Sequence, residues 1–297
     1  MTIQNVIICG LGALGLTYAN KLNSICNLKI LADKERIEKY KKNPPKLNNQ
    51  NVILNYITPE ENFCADLIII TTKSTGLNTA IEYLKNFASQ NTIIISLING
   101  ISSEEILKKH YPNSKIIRSF FIGHSAIGMN TDGEKKYYQD GVGKIVFEPN
   151  KNLENFFKKN NIDHEISNDI IRSQWIKLGV NIILNEPSAI YECTVGELRK
   201  RKDYFELAQD LLKEVKEIAQ ASGIKNIENY EKEVLASANL IADDGKTSMY
   251  QDILAKRKTE VDIFSGEIIK LGEKYNIKTP NNEYMYKSIK SKDQDFS

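Results

Sequence analysis

The chain has 297 residues, 41% hydrophobic and 26% charged, which excludes a disordered, collagen-like or fibrous protein and suffices for about two domains. Forty basic and 38 acidic side chains leave a net charge of +2, so no global field draws the protein to nucleic acid or to an anionic membrane. The basic set is 34 Lys against 6 Arg, and Asn is abundant, so a lone Lys or Asn here carries meaning only through its position.

In chain order, the first half alternates short strands with helices. Strand-like runs are Val6–Cys9, Leu28–Leu31, Leu67–Thr71, Ile93–Leu97 and Ile116–Phe121, each rich in β-branched or aromatic residues and bounded by polar residues or glycine. Near-continuous apolar strands separated by helices predict a parallel sheet covered on both faces. Lys41–Gln50 is expected to be a polar loop. Between Lys115 and Glu148 the turns Asp132-Gly133, Asp140-Gly141 and Gly143 predict an antiparallel extension. From about Asn168 the strand signal ends. Asn168–Asn185, Tyr204–Ser222, Ile227–Ala242 and Thr247–Tyr275 carry helical periodicity, with Asn185-Glu186-Pro187 closing the first and a frayed tail over Lys290–Ser297. The expected organisation is an α/β domain over 1–167 and an all-α domain over 168–297.

The four cysteines lie far apart, and the three histidines never fall four residues apart, so free thiols and no metal site are expected. No apolar run approaches the roughly 18 residues of a membrane span. The N-terminus, MTIQNVIICG, lacks the basic start of a signal peptide and leads straight into a strand. A soluble, cytoplasmic protein follows.

Gly10-Leu11-Gly12-Ala13-Leu14-Gly15 has the G-x-G-x-x-G spacing between a strand and a helix, the context in which that pattern binds a dinucleotide. Gly10 permits the turn, Gly12 lets the backbone approach a pyrophosphate, and Gly15 lets helix and sheet close together. The helix N-terminus offers its unpaired N–H groups to the phosphates. Asp33, 18 residues after Gly15, stands where an acid takes the ribose 2′-hydroxyl of NAD(H). Lys34 and Arg36 follow it and suit the 2′-phosphate of NADP(H), so both cofactors remain open.

The segment Ile170–Asn185 is mostly apolar, yet Ser173, Lys177, Asn181 and Asn185 recur every four residues along one helix face. A solvent-facing stripe has the same spacing. One Lys with two amides on a core helix instead suits a small anion bearing a carbonyl, because burial lets an ammonium give up its proton and amides hold polar atoms. Lys73 after the third long strand and Asn99-Gly100 after the fourth stand at carboxyl ends, where ligands sit in such sheets; turn residues would look alike.

Together these residues resemble the ketopantoate reductase family. The resemblance rests on GLGALG, on Lys73, on Leu97-Ile98-Asn99-Gly100, and on WIKLGVNIILNEPSAI at Trp175–Ile190. It continues through Gly196-Glu197-Leu198, Ser248–Ile253 and Arg257–Asp262, in the family's order across nearly the whole chain. It implies a Rossmann domain followed by a helical domain, with the active site in the cleft between them. The implied reaction is NADPH-dependent reduction of 2-dehydropantoate to (R)-pantoate, with Lys177 as general acid and Asn181, Asn185 and Ser248 holding the substrate. Lys73, Asn99 and Ala126 would line the nicotinamide, and Glu260 would meet its ribose. The implied partner is a small 2-oxo acid, with no nucleic acid or membrane, and a homodimer is compatible.

Two positions depart from the family pattern. Asp33 replaces an Arg commonly found for the 2′-phosphate, and Val195 stands where some members carry a substrate-binding Asn. A reductase of another branched 2-oxo acid, using NADH, is therefore the alternative, and a non-catalytic nucleotide sensor a more distant one. Ser248 and Glu260 are 12 residues apart, about 18 Å along an unbroken helix, so sharing a ligand requires a break, a bend or an extended ligand.

Overall fold

The computed structural model describes residues 2–123, 127–131, 134–138 and 143–294. The chain divides into two compact units, Met1–Ile170 and Ile171–Ser297.

Unit 1 is built on β1 (Asn5–Cys9), α1 (Ala13–Leu22), β2 (Asn27–Leu31), α2 (Lys34–Lys42), β3 (Lys46–Leu47), β4 (Gln50–Asn51), β5 (Tyr56–Ile57), β6 (Leu67–Ile70), α3 (Leu77–Tyr83), β7 (Ile93–Ser96), α4 (Ser103–His110) and β8 (Lys115–Ile117). The main sheet runs β5-β2-β1-β6-β7-β8 with every pair parallel. Its central strands β6 and β7 are buried along their whole length, as parallel strands covered on both faces must be. The order reverses between β1 and β6, and such a switch point opens a crevice at the strands' carboxyl ends.

The run 116–121, expected as one strand, is two. β8 ends the parallel sheet, and β9 (Ser119–Gly123) pairs antiparallel with β12 (Gly143–Phe147) in a second sheet. Arg118 makes the break: its N–H donates to Glu148 Oε1 at 2.8 Å instead of to a neighbouring strand, and its guanidinium pairs with Glu105. The helix α5 (Lys151–Lys159) then leads to β13 (His164–Ile166), which pairs parallel with β12. A third sheet, β10 (Ile127–Thr131), β11 (Glu134–Tyr138), β3 and β4, replaces the loop expected at 41–50. There, Asn48 and Asn49 both take positive φ, 50° and 63°, which is what a two-residue hairpin turn demands and what Asn tolerates. The turns at Asp132-Gly133 and Asp140-Gly141 lie outside the described residues.

Unit 2 consists of helices: α6 (Ile170–Tyr191, its first residue at the unit boundary), α7 (Val195–Arg199), α8 (Tyr204–Ala221), α9 (Tyr230–Asn239), α10 (Ser248–Leu254), α11 (Ser265–Tyr275) and α12 (Pro280–Gln294). Three expectations are corrected here. Pro187 does not close α6 but lies inside it. An interior proline costs about 3 kcal/mol, yet this turn is buried and its side chains are held from outside the helix. Ser188 Oγ lies 2.6 Å from Thr247 Oγ1, and Glu186 accepts from Ser265.

The segment Thr247–Tyr275 is not one helix. α10, capped by Thr247, stops at Leu254; Lys256 turns with φ 51°, and a short 3-10 turn at Val261–Ile263 precedes α11. Nor is the tail frayed at Lys290. α12 continues to Gln294, pinned by buried Asp293, which accepts from the N–H and hydroxyl of Thr259 at 3.0 and 2.9 Å. None of the described helices is long and apolar enough to cross a membrane.

Candidate functional site

In unit 1, the candidate residues gather at the carboxyl ends of β1 and β6. Gly10 adopts φ +108°, and a Cβ there would lie 2.7 Å from Thr72 N. A Cβ on Gly15 would fall 2.0 Å from Gly10 O, so only glycine lets α1 start this close to the sheet. Thr71 locks the crossing: its hydroxyl donates to Gly10 O at 2.7 Å.

Gly12 behaves differently. A Cβ there would meet nothing within 4 Å, and as N-cap of α1 it has no side chain to bond the first-turn N–H groups, where no acid stands either. Helix donors without a side-chain cap, beside open space, suit an anion. Leu11 is buried beneath the turn, while Ala13 and Leu14 are half-buried.

Thr72 supplies a second sign of a ligand. Its hydroxyl is buried at the switch point and finds no hydrogen-bond partner among the described residues. A buried hydroxyl without a partner costs about 1–3 kcal/mol, a penalty that a bound polar group relieves. In the sequence it stands within Thr72-Lys73-Ser74, a candidate at a strand's carboxyl end, with no sign that its hydroxyl lacks a partner. Lys73 is exposed at the start of a 3-10 turn, Ser74–Gly76. Asn99 is half-buried after β7, next to Gly100 with φ +90°. The donor-rich glycine turn and the partnerless hydroxyl fit a dinucleotide. Ala126 lies outside the described residues.

At the end of β2, Asp33 already has a structural task. Its Oδ1 accepts from Arg36 N–H at 2.7 Å, capping α2. Its Oδ2 has the Tyr83 hydroxyl at 3.4 Å and Arg36 Nε at 3.8 Å, and the side chain is 37% exposed. Lys34 and Arg36 are exposed on the first turn of α2. An acceptor oxygen and two cations thus share one rim.

In unit 2, α6 has two unlike faces. Trp175 and Gly179 lie against α9: Tyr230 donates to Trp175 O at 2.8 Å, and a Cβ on Gly179 would meet the Tyr230 hydroxyl at 2.5 Å. About 200° round the helix lie Ser173, Lys177, Asn181 and Asn185. The first three are half-buried and Asn185 is only 9% exposed, so this is not an ordinary solvated stripe. The Asn181 amide nitrogen is buried with no hydrogen-bond partner among the described residues. Asn185 Nδ2 donates to Ser248 Oγ at 3.3 Å, bringing together two residues 63 positions apart.

Ser188 and Thr247 support that pair. Ser188 Oγ donates to Asn185 O at 3.1 Å and lies 2.6 Å from Thr247 Oγ1, which accepts from Tyr250 N–H at the start of α10. Small hydroxyl residues on a core helix gave no distinguishing signal for this stitch. Glu260 is half-buried beyond the break in the chain, at the start of the 3-10 turn that leads to α11. The break means that the 18 Å helical spacing does not hold between Ser248 and Glu260. All four cysteines are free, and no group of three or more His, Cys, Asp or Glu among the described residues is arranged to hold a metal.

Comparison with known proteins finds relatives over most of the chain. The family model described as ketopantoate reductase PanE/ApbA matches residues 6–152, and its C-terminal counterpart matches 169–293. A 2-dehydropantoate 2-reductase of Streptococcus pyogenes serotype M6 is 26% identical over 290 residues, covering 93% of each chain.

Among solved structures, D-mandelate dehydrogenase in complex with NADH superposes with a TM-score of 0.86 at 21% identity, covering 99% of this chain and 100% of that one. A dimeric ketopantoate reductase from Staphylococcus aureus gives 0.75 at 22% identity, with 99% and 100% covered. A parallel nucleotide-binding sheet with an open glycine turn, followed by a helical unit bearing the Lys-Asn-Asn face, is matched on both sides by the models of one family. The chain belongs to the ketopantoate reductase family of NAD(P)H-dependent oxidoreductases.

Proposed function

We propose that the protein reduces 2-dehydropantoate to (R)-pantoate with NADPH, as a cytoplasmic enzyme of pantothenate and coenzyme A biosynthesis that acts as a homodimer. The α6 face carries this reading. Half-buried Lys177 stands one turn before Asn181, whose amide nitrogen has no partner among the described residues, and Asn185 with Ser248 follows a turn later. Lys177 to Asn185 spans about 12 Å along the helix, room for a small branched acid held between the side chains. A structural helix gains nothing from burying an unpaired amide donor.

The glycine turn and the N-terminal N–H groups of α1 would hold the cofactor's pyrophosphate. Thr72, Lys73 and Asn99 would line its nicotinamide side, with Ala126, and Glu260 would meet the ribose. When bound, the nicotinamide supplies a hydride to the carbonyl carbon of the substrate. Negative charge then grows on the ketone oxygen, where the Lys177 ammonium both stabilises it and donates the proton. Asn181, Asn185 and Ser248 hold the carboxylate and hydroxyl, so that the carbonyl keeps one orientation towards Lys177.

A second reading, reduction of a different branched 2-oxo acid with NADH, is favoured by two observations. The Asp33 side chain, 37% exposed, stands at the end of β2 where the 2′ position of the cofactor would lie, and Val195, fully buried, cannot supply the hydrogen bond of an Asn. Steady-state assays of 2-dehydropantoate and a panel of branched 2-oxo acids, with NADPH and NADH side by side, decide between them. Asp33→Ser should shift preference towards NADPH by about tenfold, or ~1.4 kcal/mol. Dinucleotide binding without turnover of any 2-oxo acid overturns both readings and leaves a nucleotide sensor.

A further inference from the structure

Two buried carboxyl groups in unit 2 sit near helix N-termini, and their surroundings are opposite. Glu214 of α8 receives four donors from α12. The N–H and side-chain amide of Asn281 lie at 2.8 Å from Oε1, and those of Asn282 at 3.0 and 2.7 Å from Oε2. Glu186 of α6, with no exposed surface, receives the N–H of Ser265 at 2.9 Å and lies 2.5 Å from the Ser265 hydroxyl. That hydroxyl also lies 3.1 Å from Asn282 Oδ1.

The orientation of Asn282 is fixed, because flipping its amide would set its oxygen against Glu214 at 2.7 Å. Ser265 has one hydroxyl proton and two oxygen acceptors beside it. With Glu186 ionised, the two acceptors compete for the single Ser265 proton; with Glu186 protonated, each contact is a full hydrogen bond, Glu186 donating to Ser265 Oγ and Ser265 Oγ to Asn282 Oδ1.

The groups around Glu186 are Ser265 from α11, Asn282 from α12 and, through Asn282, Glu214 from α8. No cationic side chain among the described residues pairs with it. The first turn of α11 favours an anion, but complete burial outweighs it and pushes the Glu186 carboxyl up to about 8.

We propose that Glu186 is a positioning residue that works as a neutral acid, its proton completing a chain from α6 through Ser265 to Asn282. The chain fastens the Asn185 turn of α6 to the start of α11, five residues after Glu260. It rests on the reading of Asn185 and Glu260 as ligand-binding residues. Losing the proton puts an unpaired negative charge in the core and breaks the Ser265–Asn282 bond, which loosens the turn carrying Asn185.

The sign of the pH dependence follows. The unfolded chain releases this proton near pH 4.5 and the folded protein holds it to about 8, so stability falls as pH rises across that interval and then levels off. The test compares the wild type with Glu186→Gln, which keeps a donor and an acceptor, and Glu186→Ala, which keeps neither. Infrared difference spectra should show a protonated-carboxyl band at pH 6.5 that Glu186→Gln lacks and that fades by pH 9.5. The melting temperature of the wild type should fall from pH 6 to 9 relative to Glu186→Gln.

With 2-dehydropantoate, Glu186→Gln should keep KM within about threefold of the wild type at pH 7 and hold it constant where the wild-type KM rises. Glu186→Ala should raise KM about tenfold or more with a smaller change in kcat. Absence of the protonated band, or a Glu186→Gln variant as impaired as Glu186→Ala, overturns the proposal. If no 2-oxo acid is turned over, the reading of the site fails, while the infrared and melting results still decide whether Glu186 holds its proton.

Discussion

Unit 1 and unit 2 make their candidate ligand surfaces from different parts of the polypeptide. In unit 1 the surface is backbone: N–H groups at the start of α1, exposed because Gly12 has no side chain and set close to the sheet because Gly15 has none. In unit 2 it is side chain: one ammonium and two amides on a single face of α6, steadied by hydroxyls from α6 and the start of α10. A backbone surface fails through geometry and a side-chain surface through chemistry, so substitutions should separate the two.

The sharpest separation is expected from Lys177→Ala. A positioned general acid contributes about 10²–10⁴-fold, so kcat for the 2-oxo acid should fall by that factor. Dinucleotide affinity, read by fluorescence titration, should stay at the wild-type value. An equal loss of dinucleotide affinity would break the division of labour between the units, and unchanged turnover would remove Lys177 from the chemistry.

Within the glycine turn, two alanine variants should fail in different ways. Gly12→Ala adds a methyl group into open space at the N-cap of α1, so the melting temperature should fall only slightly, while dinucleotide affinity falls by about tenfold or more, ~1.4 kcal/mol. Gly15→Ala sets a methyl group against Gly10 O and the Thr71 hydroxyl, and should destabilise the fold by about 1–3 kcal/mol or more. Wild-type binding by Gly12→Ala would show that the turn is only a turn.

The same contrast explains what the sequence disclosed. The parallel strands were readable because double-sided burial writes uninterrupted apolar runs such as Leu67–Ile70, and the turn was readable because only glycine fits it. The breaks were not. Arg118 sits inside an apolar run and diverts it through Glu148, a partner 30 residues away. Pro187 reads as a helix end until distant Ser265 and Thr247 are seen to hold the turn around it.

The hairpin at Asn48-Asn49 was hidden because Asn is common throughout this chain. On α6, spacing alone gave the Lys-Asn-Asn face but not its burial, since the groups that cover it come from elsewhere in the sequence. The unmet hydroxyl of Thr72 and the role of Glu186 were illegible for the same reason: whether a polar atom is satisfied depends on neighbours that local pattern does not name.

The smallest expected effect tests that last point, using two amides one helical turn apart. The Asn181 amide nitrogen is buried without a partner among the described residues, whereas Asn185 Nδ2 donates to Ser248. A buried donor left unsatisfied costs about 1–3 kcal/mol, while a satisfied one returns about 1 kcal/mol. Asn181→Leu removes an unpaid desolvation cost, so the melting temperature should hold or rise. If Asn181 meets the substrate, KM should nevertheless rise by about fivefold, ~1 kcal/mol, the size of one hydrogen bond.

Asn185→Leu should instead lose on both counts, because it strands the Ser248 hydroxyl and disturbs the turn held by Ser188 and Thr247. Thermal melts and KM values for the two variants, measured together, discriminate cleanly. If both lose stability alike, Asn181 is a packing residue whose partner forms only in solution. If Asn181→Leu gains stability and loses substrate, the unpaired amide is held in place for a ligand, at a cost the folded protein carries until that ligand binds.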